Sequence, residues 1–163
     1  MRQHRVVAII AISAAVLVLG VDDSSSEAKR VPLDRKVAES DFIGIVRVLE
    51  TEPLEEPTEA DARWPYQQFA RAEILRSLKG PQPGKVLGLE FDNGLTCPNA
   101  TYIAGAEYFV FWRGIAPQRY ATYNFYYGQF PIENDRVMGW DDNWSSPPTV
   151  SAVVDEIQRL LVP

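Results

Sequence analysis

Gly105-Ala106-Glu107-Tyr108-Phe109-Val110-Phe111-Trp112-Arg113 is the stretch around which this 163-residue chain is organised. A glycine turn leads into five consecutive aromatic or β-branched residues, and an arginine closes the run. Successive strand residues point to opposite sides, so Tyr108, Val110 and Trp112 share one face and Phe109 and Phe111 the other. Neither face is polar. Such a strand has to be covered on both sides, as in the wall of a small closed barrel.

The segments around it read as its partners. Upstream, Asp41–Leu49 is rich in β-branched residues and carries Gly44 in its middle, the mark of a bend or bulge at a barrel corner. Tyr66–Leu78 fits either a helix, through Phe69, Ala72, Leu75 and Leu78, or a strand, through Ala70, Ala72 and Ile74. The short gap through Lys79-Gly80-Pro81 and Pro83-Gly84 to Lys85–Phe91 favours a hairpin, and hence a strand. Asp92-Asn93-Gly94 marks a turn and Thr96–Thr101 a loop into the central strand. Val46, Val48, Ile74, Leu89, Val110 and Phe111 are the expected core.

Downstream, a break is expected over Gly114–Gln118, and Tyr120–Phe130 then holds six aromatic residues in eleven. Phe130–Val137 reads as a hairpin with Asn134-Asp135 at its tip, and Met138–Pro148 as a polar loop bearing Trp140 and Trp144. From Thr149 the apolar spacing turns helical, with Val150, Val153, Val154, Ile157, Leu160 and Leu161 on one stripe. A helix over 149–162, capped by Thr149 or Ser151, should pack that stripe on the barrel, with Ile157 and Leu160 covering it. A second, short helix is expected over Pro32–Ser40, with Leu33, Val37 and Ala38 as its apolar positions. The fold class is therefore mainly β with helices: a small five- to six-stranded OB-like barrel with a C-terminal packing helix, in one domain over 29–163.

Residues 1–28 read as a signal peptide and spacer. Arg2, His4 and Arg5 precede sixteen uncharged, mostly aliphatic residues, Val6–Val21. As a helix that run rises roughly 24 Å, short of the ~30 Å hydrocarbon core. Val18-Leu19-Gly20 resembles the start of a lipoprotein signal, but Val21 stands where a lipidated cysteine would be. Cleavage is expected before Val21 or before Lys29, with an uncleaved anchor as the alternative. Cleavage before Lys29 leaves fourteen basic and nineteen acidic residues, a net charge of −5. That balance disfavours nucleic acid, whose phosphates need clustered Lys and Arg, and gives no reason for stable membrane insertion.

His4, the only histidine, leaves with that leader, and Cys97 is the only cysteine. A Ser-His-Asp triad, an imidazole base, a Cys-His nucleophile and a cysteine or histidine zinc site are thereby removed. A paired-carboxylate hydrolase remains formally open through Asp141-Asp142 and the acidic Glu50–Glu59 loop. Five acids between Glu50 and Glu59 match no EF-hand spacing and read as an exposed, solvated loop. No cofactor or metal is expected. The reading is an exported, non-catalytic module, expected to be a monomer, that binds an envelope protein or an extended ligand. Its candidate contacts are Trp140 and Trp144, large rings among polar loop residues, with Tyr120 and Tyr126, while Tyr123, Phe125 and Tyr127 are expected to fill the interior.

Three motifs carry a family resemblance over about residues 38–137. They are Ser40-Asp41-Phe42-Ile43-Gly44-Ile45-Val46, Leu78-Lys79-Gly80-Pro81, and Cys97 followed by Gly105–Phe111. Their order resembles that in the bacterial relatives of the tissue inhibitors of metalloproteinases, which share an OB-like barrel with netrin modules. The resemblance implies a protease-inhibitor-like domain as an alternative function. The animal inhibitors, however, chelate the protease zinc through an N-terminal cysteine, and no cysteine lies near Val21 or Lys29 here. The usual disulfide partner of the loop cysteine is also missing. Fold can carry over without the inhibitory wedge.

The export reading is checked by fusing residues 1–40 to a reporter that works only outside the cytoplasm. The fusion should be active, and the mature protein should begin at Val21 or Lys29. Recovery of the chain from membranes with Met1 intact would instead establish the anchor.

Overall fold

The computed structural model describes residues 29–55, 66–92 and 100–162. The leader, residues 56–65 of the acidic segment, the Asn93-Gly94 turn and Cys97 lie outside them. The order of elements is α1 (Leu33–Glu39), β1 (Phe42–Pro53), β2 (Gln68–Lys79), β3 (Val86–Phe91), β4 (Glu107–Ala116), β5 (Arg119–Thr122), β6 (Gln129–Glu133), β7 (Arg136–Val137) and α2 (Val150–Leu161). Among the described residues no helix is long and apolar enough to cross a membrane.

Five strands close on themselves in the order β1-β2-β3-β5-β4, with β4 pairing back onto β1. The β3–β5 pair is parallel and the other barrel pairs are antiparallel. This is the expected OB-like barrel. Strands β6 and β7 add a hairpin beyond it, turning at Asn134 and Asp135, both at positive φ.

Strand β4 divides the apolar residues as its alternation requires. Tyr108, Val110 and Trp112 point into the barrel with Phe42, Val46, Val48, Ile74 and Leu89. Phe109 and Phe111 point outward into a second core with Ile43, Ile45, Phe130, Trp140, Val153, Val154 and Ile157. The expected core residues of the strands, and Ile157, are all buried. Gly44 lies where register shifts interrupt the β1–β2 ladder. A Cβ there would stand 2.2 Å from the Arg76 carbonyl oxygen, so only glycine lets the two strands cross so closely.

Three expectations need correction. Glu50 and Glu52 belong to β1 rather than to a loop, paired with Arg71 and Phe69 of β2. The ladder continues past the expected end, with Arg71 Nη1 donating to Glu50 Oε1 across the strands at 2.9 Å. Strand β4 likewise runs through Gly114 to Ala116, where a break was expected, paired with β5. Leu160 is 43% exposed, on the flank of the α2 stripe, and Leu161 packs against the outer core instead. The Thr149 cap forms as expected, its side chain accepting from Ala152 N.

Helix α1 hides a lysine. Val37 is buried and Leu33 half-buried, but Ala38 is exposed and Lys36 is 3% exposed. The Lys36 ammonium lies 5.3 Å from the Phe111 ring centre and 5.4 Å from that of Phe130, and donates to the Tyr127 carbonyl at 2.8 Å. Above it Arg30 pairs with Asp141 and Asp142, each at 2.5 Å. Burial, and then the Arg30 charge, pull the Lys36 ammonium down to about 8 from its ordinary 10.5, against the opposing pull of the two aspartates.

A base whose folded-state pKa is depressed makes the fold less stable while it stays charged. As pH rises from about 8 towards 10.5, native Lys36 loses its proton before the unfolded chain does, so stability should rise. The gain should approach about 3 kcal/mol at most. It should reverse above about pH 10, because Tyr102, Tyr108, Tyr120 and Tyr123 all have raised pKa values and ionise first in the unfolded chain. Urea unfolding across pH 7–11 should show this rise and fall, and Lys36→Met should flatten the rise.

Candidate functional site

The four rings singled out from the sequence part company. Trp140 is buried in the outer core, 4.9 Å from the Phe130 ring and 5.6 Å from Phe109, with Nε1 donating to Glu156 Oε2 at 3.2 Å. It is a core residue rather than a contact. The second apolar face of β4 needs a large ring there, and a positive φ at Gly139 turns the loop inward. Tyr120 points into the barrel beside Phe42 and Trp112, on the inward register of β5. Trp144 is 64% exposed, with its ring over Gly139, and Tyr126 is also exposed beside Tyr127. Of the rings expected inside, Tyr123 is buried and Phe125 and Tyr127 are half-buried.

The chemistry gathers elsewhere, on the outer wall that the helices leave open. The registers of β1, β2, β3, β5 and β4 place Glu52, Phe69, Glu90, Ala121 and Arg113 in one row across the barrel. Glu50, Arg71, Gly88 and Arg119 form the next. Both rows face outward because the residues between them, Ala70, Leu89 and Tyr120, face in. Gly88 and Ala121 lower the middle of this wall. A Cβ at Gly88 would meet the Phe69 ring at 2.8 Å, so the ring lies flat over the glycine.

Two arginines of this wall stand on rings, and one of those rings is the Phe69 ring that covers Gly88. Arg119 lies 5.4 Å over Phe69, and its Nη1 donates to Glu90 Oε1 at 2.8 Å. Glu90 is fully buried although it belongs to an outward row. Arg119, Phe69 and the β1 end Glu52–Glu55 line one cleft of about 420 Å³. Arg113 lies 5.7 Å over Tyr123 and is exposed. With Tyr66, Thr122, Asn124 and Phe125 these two line a second cleft of about 360 Å³. Phe125 sits at φ +53, a conformation that bulky residues rarely adopt and that marks stored strain.

Tyr123 is held in place by helix α1. Its hydroxyl donates to Glu39 Oε2, and Arg35 Nε donates to Glu39 Oε1 at 2.6 Å. The Tyr123 hydroxyl, and then Arg35, hold the Glu39 carboxyl below its usual range, while burial and then Glu39 push the Tyr123 phenol up. Among the described residues no three His, Cys, Asp or Glu side chains converge as a metal-binding set.

No family model matches the chain, and no curated protein sequence does. The site is therefore read from its own geometry. Arg113 was visible in the sequence as the residue that closes the central strand. Phe69, Arg119 and Glu90 were missed, although Phe69-Ala70-Arg71-Ala72 already alternates outward and inward. The burial of Glu90 had no signal, because it depends on a ring and a guanidinium from two other strands.

The two loop tryptophans should behave oppositely on truncation. Trp140→Ala should cost about 3–5 kcal/mol by removing a core ring, whereas Trp144→Ala, at an exposed site, should cost far less. Denaturant midpoints of the two variants decide between these places.

Proposed function

We propose that this chain is an exported, non-catalytic binding module that holds an extended partner across the outer wall of β2, β3, β5 and β4. The observation that carries the reading is the pair of arginine-on-ring contacts, Arg119 on Phe69 and Arg113 on Tyr123, on a wall whose middle positions are the small residues Gly88 and Ala121. OB-type barrels take extended ligands on the face of strands 2 and 3 and on the flanking loops, and this wall includes the outer side of β2 and β3. Arginine and aromatic side chains are the residue types that concentrate binding energy. The two clefts are each of a size that suits single side chains or small rings of a ligand.

The non-catalytic character rests on the residue inventory. Residues 29–163 contain no histidine, and their one cysteine has no imidazole to activate it. The resemblance to the bacterial relatives of the tissue inhibitors favours a partner that is a protein. A zinc-chelating wedge is disfavoured, because residues 29–31 are fastened down. Val31 N donates to Asn124 Oδ1, Asn124 Nδ2 donates to the Lys29 carbonyl, and Arg30 pairs with Asp141 and Asp142.

Photo-crosslinking tests the wall. A crosslinking residue at Arg71, on the proposed face, should trap a discrete partner in the exporting cell. The same residue at Gln158 on the exposed side of α2 should not. Adducts from Gln158 alone would place the partner on the helix and sink the reading.

A further inference from the structure

We infer that the cleft beside Arg113 is a receptor for a free carboxylate with an apolar neighbour, and that its ligand is the C-terminus of a peptide or protein chain. This rests on the reading of the outer wall as a binding face and names what one part of it takes.

Most polar side chains that line the cleft are already engaged. Thr122 Oγ1 is bonded to the Tyr102 hydroxyl inside the barrel at 2.7 Å. The Asn124 amide is engaged at both ends, accepting from Val31 N and donating to the Lys29 carbonyl. The Tyr123 hydroxyl is engaged with Glu39. Arg113 differs. Its guanidinium rests on the Tyr123 ring and enters no ion pair among the described residues, although it is exposed at the cleft.

The acids near Arg113 are themselves engaged. Glu39 is bonded to Arg35 and Tyr123, and Asp41 Oδ2 accepts from Gly114 N at 2.8 Å. The Tyr123 ring, 5.7 Å from the guanidinium carbon, supports a group whose N–H donors suit a planar, two-oxygen acceptor. The surroundings are ring-bearing side chains, Tyr66, Tyr123 and the strained Phe125. One charged fork among rings suits a carboxylate carried next to an apolar side chain. A polyhydroxylated sugar would need several unengaged hydrogen-bonding groups, and the cleft supplies few. Capture of a C-terminal carboxylate is a recurring mode of peptide recognition, and here the donors would come from a guanidinium.

The test uses the exported protein, labelled with nitrogen-15, titrated with acetyl-Ala-Ala-Phe as the free acid and as its C-terminal amide. The free acid should shift the amide signals of Arg113, Gly114 and Ala121–Asn124, and bind at least about tenfold tighter than the amide. Arg113→Gln should abolish that preference with an unchanged melting temperature, and Arg113→Lys should restore only part of it. Equal binding of acid and amide at these signals would overturn the carboxylate reading and leave the wall as a binding face. Tighter binding of digalacturonate at the same signals would replace the peptide by an acidic glycan. If neither peptide moves them, the inference is wrong, whatever the Arg71 crosslinks report about the wall as a whole.

Discussion

Strand β4 cannot leave either of its faces in water. Tyr108, Val110 and Trp112 on one side, and Phe109 and Phe111 on the other, are all buried. Each such side chain contributes roughly 1.5–3 kcal/mol when removed from water. The inner three are covered by curling the sheet until β1 returns to β4. The outer two are covered by what precedes and follows the barrel: α1, the β6–β7 hairpin, the Trp140 loop and α2. One strand with two apolar faces thus requires both the closure of the barrel and the layer outside it.

That outer layer is one-sided, and the one-sidedness leaves a place for function. The helices and the hairpin cover β1, β4, β6 and the far end of β2, where Leu75 and Leu78 join the outer core. The rest of the wall carries charges and rings instead of an aliphatic surface: Arg47 between Glu73 and Glu107, Arg71 on Glu50, and Arg119 on Glu90. The pairs of Arg47 and Arg71 are exposed and add little stability, whereas Glu90 beneath Arg119 is fully buried. On the proposed reading these charges and rings belong to the contact surface.

Lys36 shows what the second core tolerates. A cation among Phe111 and Phe130 is held by two ring faces, one carbonyl, and the aspartates that Arg30 draws over it. The same group ties α1 to the turn at Tyr127, and α1 in turn positions Glu39 under Tyr123 at the edge of the Arg113 cleft. A helix of only seven residues therefore links the outer core over Phe111 to the edge of the Arg113 cleft.

The sequence by itself determined the barrel, because alternation is a local property. Gly105–Arg113 announces two apolar faces, Asp41–Leu49 announces a bent strand through Gly44, and the 3- and 4-residue spacing after Thr149 announces the closing helix. The same alternation, however, does not say which outward residues will be covered. Trp140 looked like a loop ring and is core, Tyr120 looked like a contact and faces inward, and Leu160 looked like core and faces water. Each outcome was set by strands or loops distant in the chain: the outer face of β4 drew in Trp140, the parallel register with β3 turned Tyr120 inward, and α2 packs through Val153, Val154, Ile157 and Leu161, which leaves Leu160 exposed. The candidate site followed the same rule. Phe69, Glu90, Arg113 and Arg119 come from four strands, and only the cross-strand registers of the closed barrel bring them into adjacent rows on one wall.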